Sequence, residues 1–156
     1  MSSPTSPRSG TEPSRRALFG GLLTLALAPP AGATPEAMAE AIALFTGGAT
    51  PELSAAITLD IPSLVENGNT VPVTIAVDSP MTEAAHVRAI ALFNQRNPQP
   101  QVIEARLGPW SGAARISTRA RLADSQRLTA VAALSDGRFL LAEAEVVVTL
   151  AACLEG

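Results

Sequence analysis

From Thr34 onward the apolar positions repeat first with a helical period and then with a period of two. Thr34-Pro35-Glu36 predicts a helix start: Thr caps, Pro suits the first turn, and Glu favours the positive end of the helix dipole. Met38, Ile42 and Phe45 share one face, and Gly47-Gly48 with Pro51 end the helix. Strand patterns follow. Ile57, Leu59 and Ile61 alternate with polar residues, Glu66-Asn67-Gly68-Asn69 reads as a turn, and Val71, Val73, Ile75 and Val77 alternate over Thr70–Asp78. Pro72 lacks an N–H, so this strand is expected to begin at an edge or a bulge. Asp78-Ser79-Pro80 closes it.

Val87–Phe93 is apolar on both faces, a pattern that fits a helix or a buried strand. Its flanks, Asn94, Asn97, Pro98 and Pro100, limit its length and favour a strand. Val102–Leu107 is a further strand, and Gly108-Pro109-Trp110-Ser111-Gly112 is a turn. Ala114, Ile116, Thr118, Ala120 and Leu122 then alternate with Arg115, Ser117, Arg119 and Arg121, a half-buried strand with an Arg-bearing outer face. Leu128, Ala130, Ala132 and Leu134 mark the next strand. Ser135-Asp136-Gly137 turns the chain into a last run, Arg138–Leu150. Six to eight short strands with regular turns predict an all-β domain, an immunoglobulin-like antiparallel β-sandwich with a short N-terminal helix, over residues 34–150.

Residues 1–33 read differently. Ser14-Arg15-Arg16 precedes an apolar stretch, Ala17–Ala28, and Ala31-Gly32-Ala33 fits a small-residue cleavage site. This order reads as a twin-arginine export signal built on Arg15 and Arg16, cut after Ala33. The stretch is shorter than the roughly 20 residues that span a bilayer, so no membrane anchor is expected in the mature form. Loss of the leader leaves 8 Arg against 13 acidic residues, a net charge of −5. A mildly acidic, exported, periplasmic domain without nucleic-acid binding is the expectation.

Composition removes most chemistries. The chain has one Cys, one His and no Lys among its 156 residues. That excludes an internal disulfide, a haem-attachment motif and a zinc site with four protein ligands, and no phosphate-cradling glycine motif appears. No metal or cofactor is expected, and Asp60, Glu66 and Asp78 sit in turn-rich contexts where Asp satisfies backbone donors. His86 reads as a loop residue. Arg115, Arg119 and Arg121 read as a solvated strand face paired with Glu143 and Glu145, or as an attractor for an anion or acidic partner. Trp110 fits an interface anchor or a core-capping turn residue.

Cys153 is the informative residue, because it lies beyond the last strand and not within one. In an exported protein a lone Cys stays free, joins another chain or carries a covalent group. A covalent carrier and a docking module that forms an intermolecular disulfide are both open at this point. An enzyme with its own active site is disfavoured, since no acid–base partners for Cys153 are visible.

Several longer motifs narrow the choice. Thr58-Leu59-Asp60-Ile61-Pro62, the run Val65–Thr74, Val77-Asp78-Ser79-Pro80-Met81, Asn97-Pro98, Ser117-Thr118-Arg119, Ser135-Asp136-Gly137 and the final strand running to Cys153 resemble the SoxY family, the sulfur-compound carriers of thiosulfate oxidation. The resemblance implies an immunoglobulin-like fold, a SoxZ-like heterodimer partner and sulfur intermediates bound covalently to Cys153. It also implies sulfur-oxidising client enzymes: a haem enzyme that loads the carrier, a hydrolase that removes sulfate and a sulfur dehydrogenase. The carrier itself is then not a catalyst. The arm departs from the family's usual Gly-Gly-Cys-Gly-Gly. It reads Ala151-Ala152-Cys153-Leu154-Glu155-Gly156, similar to family members with an Ala-Ala-Cys-Ile-Glu arm. Glycine allows positive φ and close approach to a narrow pocket, which Ala, Leu and Glu do not offer freely. Leu154 adds bulk, and Glu155 adds a negative charge that opposes thiolate formation. The expectation is retained carrier chemistry with different clients or cargo.

Overall fold

The computed structural model describes residues 34–149. The leader with Arg15 and Arg16, the boundary after Ala33, Leu150 and the arm 151–156 lie outside the described residues. Helix α1 spans Pro35–Thr46. Nine strands follow among the described residues: β1 Glu52–Leu53, β2 Ile57–Asp60, β3 Leu64–Val65, β4 Val71–Val77, β5 Val87–Asn94, β6 Gln101–Arg106, β7 Ala114–Ala120, β8 Gln126–Leu134 and β9 Phe139–Val148. The larger sheet runs β1-β9-β8-β5-β6, with β3 also on β9. The smaller runs β2-β4-β7. Among the described residues, no helix is long and apolar enough to cross a membrane.

The β-sandwich expectation holds, with one correction. All long pairings are antiparallel, but β1 and β3 pair with β9 in parallel, at Glu52↔Leu140 and Leu64↔Val147. Two-residue strands carry no alternation, so no period could announce them. Their effect is to cover the outer side of β9 at both ends.

Helix α1 forms where its caps predict. The Thr34 Oγ1 accepts from the Ala37 N–H at 3.2 Å. At the other end Gly47 takes φ of 64°, a left-handed cap that costs glycine little. The helix lies on the outer face of the larger sheet. Met38 is buried with Ala91, Phe93 and Val131, and Ile42 and Phe45 pack against them. Phe45 meets Phe93 and Phe139 edge-on, with ring centroids 5.9 and 6.2 Å apart. This explains the doubly apolar β5. Its Ile90 and Leu92 face the smaller sheet, while Ala91 and Phe93 face the helix.

The inter-sheet core is aliphatic: Val71, Val73, Ile75 and Val77 of β4 meet Val87, Ile90, Leu92, Leu128, Leu140 and Val146. The period-two pattern of β4 is reproduced residue by residue, buried at odd positions and exposed or half-buried at even ones. Pro72 lies beyond the last β2 partner, Asp60↔Thr74, so there β4 pairs only with β7 at Arg119. The strand is central for most of its length and an edge where its proline sits. The β8–β9 hairpin turns on Gly137, with φ of 89°. The Arg138 N–H donates to Asp136 Oδ1, and its guanidinium follows at 2.9 Å; together they hold the Asp136 carboxyl below the usual carboxylate range.

Replacing Phe93 with Ala should remove the plate on which α1 rests and cost about 3–5 kcal/mol in urea denaturation. A loss under about 1 kcal/mol would mean that the helix is not packed there. Because the folded-state pKa of Asp136 is depressed, its contribution is present above the unfolded carboxylate value and is lost as pH falls through the lowered folded value. Asp136→Asn should therefore flatten this part of the acid limb of the stability profile.

Candidate functional site

The site is the end of the sandwich from which the chain departs toward Cys153. Here β9 finishes at Val148 and is followed by Thr149, and each residue of this root is tied down. The Val147 N–H donates to Ser63 O at 2.9 Å, and the Thr149 N–H to Val65 O at 3.0 Å, both on the β3 side. On the other side the Val148 N–H donates to Ser125 Oγ at 2.9 Å. The Thr149 hydroxyl donates to Glu66 O at 3.2 Å, joining the root to the turn after β3. Beneath it Val146 is buried in the inter-sheet core.

The surrounding loops are held by three amide side chains. Asn97 Nδ2 donates to Arg121 O at 2.6 Å, while Asn97 Oδ1 accepts from the Ala123 N–H at 3.0 Å and from Gln126 Nε2 at 3.1 Å. Gln126 Oε1 accepts from the Arg96 N–H. Asn94, fully buried, donates to Gln99 O and accepts from the Asn97 N–H. The Leu122 N–H reaches Gly68 O at 2.8 Å, so the turn Glu66–Asn69 joins the same platform. Every buried side-chain polar atom among the described residues has a partner. Buried amides that are fully satisfied rigidify the loops they bridge. The motif Asn97-Pro98 is thus a structural staple of this end. Ser125 and Gln126 carried no sequence signal and Asn94 only that of a strand end, because a buried serine or amide is indistinguishable in sequence from a solvated one.

The remaining candidates are dispersed. Cys153 and its arm residues Ala151, Ala152, Leu154, Glu155 and Gly156 lie outside the described residues, as do Arg15 and Arg16. His86 sits just before β5, with its backbone joined to Ser135 in the β8–β9 turn, at the far end of β9. Ten strand residues separate that end from the root, roughly 30 Å. Its Nδ1 donates to Thr82 O at 3.0 Å. Asp60 and Asp78 stand at opposite ends of the β2–β4 pair. Among the described residues, no group of three or more potential metal ligands comes together.

The expected pairing of the β7 arginines with Glu143 and Glu145 is corrected. Those carboxylates belong to the larger sheet and pair with Arg127, at 3.8 and 2.8 Å across β8 and β9. The Glu145 hydrogen bond and the two carboxylate charges raise the Arg127 pKa further. Arg115, Arg119 and Arg121 have no carboxylate within 4.0 Å among the described residues. Trp110 does not cap the core: it is 84% exposed, in a 3-10 turn that leads into β7.

The described residues thus form a two-sheet sandwich whose last described strand is clamped at Val147–Thr149. The sequence matches the family model "Sulfur oxidation protein SoxY" over residues 42–153, a span that reaches Cys153. The chain belongs to the SoxY family. It is similar to the sulfur carrier protein SoxY from Chlorobium limicola f thiosulfatophilum, with 31% identity, 74% of this chain and 98% of that chain covered, and a TM-score of 0.62. More distant likenesses show the fold alone. The superoxide reductase (neelaredoxin) from Ignicoccus hospitalis shares 18% identity over 60% of this chain and 80% of that one, at a TM-score of 0.54. The superoxide reductase from Nanoarchaeum equitans shares 13% over 62% of this chain and 100% of that one, at 0.53. No curated protein matches the chain. The family supports a sulfur-carrier role within a sulfur-oxidation system that includes partner proteins.

Asn97→Ala should leave the Ala123 N–H unpartnered and remove one of the two acceptors of Gln126 Nε2, which also donates to Asp124 O at 3.1 Å. The expected loss is about 1–3 kcal/mol, with faster hydrogen exchange concentrated at residues 121–126. Unchanged exchange at Ala123 would show that the staple contributes nothing.

Proposed function

We propose that the chain is exported to the periplasm by its twin-arginine leader, residues 1–33, and carries sulfur intermediates as covalent adducts on Cys153. It presents them on the arm 151–156 to sulfur-oxidising enzymes and works as a heterodimer with a SoxZ-like partner. The observation that carries this reading is the family match extending through Cys153, together with the clamped root at Thr149. Cys153 lies four residues past Thr149, so covalent geometry keeps its Cα within about 14 Å of a fixed point. Such a tether confines the thiol near the scaffold and leaves it to be taken up by another protein's pocket.

The chemistry asked of this chain is small. Joining the Cys153 thiol to the terminal sulfur of thiosulfate forms one S–S bond and releases one proton and two electrons. The family's haem enzyme takes those electrons, and the scaffold supplies the sulfur atom and its position. Ala151 and Ala152 in place of glycines narrow the backbone conformations open to the arm, and Leu154 adds apolar bulk beside the sulfur. Both differences favour client pockets shaped for a stiffer arm than the glycine-rich one.

Protein isolated from its native periplasm during growth on reduced sulfur should show intact masses that correspond to sulfur-bearing adducts. Cys153→Ser should abolish them without changing the thermal transition. A mass change limited to a reducible disulfide-linked dimer would favour the docking module instead. Replacing Arg15 and Arg16 with Lys should hold the precursor in the cytoplasm, and normal export of that variant would contradict the assigned route.

A further inference from the structure

Strand β7 is the longest strand left open along one side among the described residues. It spans seven residues, Ala114–Ala120, and pairs with β4 alone. The competing edges are blunted. Six-residue β6 carries a register irregularity opposite Leu92 and Phe93 and a Glu104–Arg106 ion pair along its length, and β2 has four residues. Apart from the β4 ladder, no hydrogen bond among the described residues uses the backbone of residues 115–119. An open edge of this length is a template for another strand.

The charge on that edge is selective. Arg115 and Arg119 point to the outer, solvent-facing side, and Arg121 follows just past the strand; all three are exposed and lack an acidic neighbour among the described residues. This occurs in a chain whose formal net charge is −3. By contrast Arg106, Arg127 and Arg138 each pair with a carboxylate. Trp110, four residues before β7, is 84% exposed. Exposed Trp with Arg is the composition of interface anchors.

Symmetry then discriminates between occupants. Ser117 is the centre of β7, so antiparallel pairing of two copies about Ser117 sets Arg115 opposite Arg119 of the second copy, twice. Like charges directly opposite one another destabilise a strand pair, whereas opposite charges stabilise it. A second copy is therefore repelled, and a strand with carboxylates at the facing positions is attracted.

We propose that the β7 edge is a strand-addition site for a partner protein that presents an extended strand with acidic side chains at alternate positions, and that Trp110 anchors one end of that strand. This supplies recognition chemistry for the heterodimer in the function proposed above. It involves no sulfur chemistry, so its failure leaves the carrier reading of Cys153 untouched.

The full-length protein carrying Arg115→Glu and Arg119→Glu presents such an acidic strand on the same scaffold. Unlabelled variant titrated into isotope-labelled wild type should shift the amide signals of residues 114–120 and the Trp110 indole. The resulting 1:1 complex should be at least about tenfold tighter than wild-type self-association and should weaken as salt rises. Should circular dichroism show the double variant unfolded, a synthetic peptide of residues 114–120 with the same two replacements is the probe, and the same signals should move. No shift at β7 up to millimolar probe, or wild type pairing with itself through β7 as tightly as with the acidic strand, would overturn the proposal.

Discussion

The structure depends on the last described strand being held from a second side near both of its ends. A terminal strand is an easy element to leave at a sheet edge, where half of its backbone groups face water and its end can fray. Here β9 is paired with β8 over Phe139–Val146 and covered on its other side by β1 at Leu140–Leu141 and by β3 at Val147–Val148. The final turn of pairing is completed by Ser125 and by the Thr149 hydroxyl. These contacts cost two short strands and several loop hydrogen bonds, and they give the following segment a fixed origin. In the carrier role proposed for Cys153, a wandering origin would spread the cargo over a larger volume and lower its effective concentration at a client's pocket.

Most of the architecture could be read from residue patterns, and the gaps have definite physical causes. Alternation in β4 and β7 reports a sheet with one wet face, so both strands appear in the sequence as they appear in space. The β5 segment resisted that reading because both of its faces are buried, one by the second sheet and one by α1. Strands β1 and β3 are two residues long, and nothing periodic can be expressed in two residues. Arg115 and Arg119 do not meet Glu143 and Glu145, although both sets alternate along their strands. The register shows that those residues belong to different sheets.

The candidate site divided in the same way. Cys153 stood out because a lone thiol past the last alternating run is visible in the sequence. The residues that hold the end of β9 and its neighbouring loops did not, since the roles of Ser125, Gln126 and Asn94 exist only when three loops meet. Asn97 lies between these cases: its motif marks the family, and the structure shows the hydrogen bonds that make it a staple. The clamped end of β9 belongs to the larger sheet, whereas Arg115 and Arg119, with no carboxylate within 4.0 Å among the described residues, lie on the free edge of the smaller one.

The central claim is that a stable scaffold presents one sulfur atom for other proteins to handle. The most direct measurement is the rate of Cys153 alkylation in the reduced, folded protein against the same protein in denaturant. Rates within about tenfold of each other are predicted, since an accessible thiol reacts according to its thiolate fraction and not to global unfolding. Protection by several orders of magnitude in the folded protein, relieved only when the sandwich unfolds, would contradict the claim.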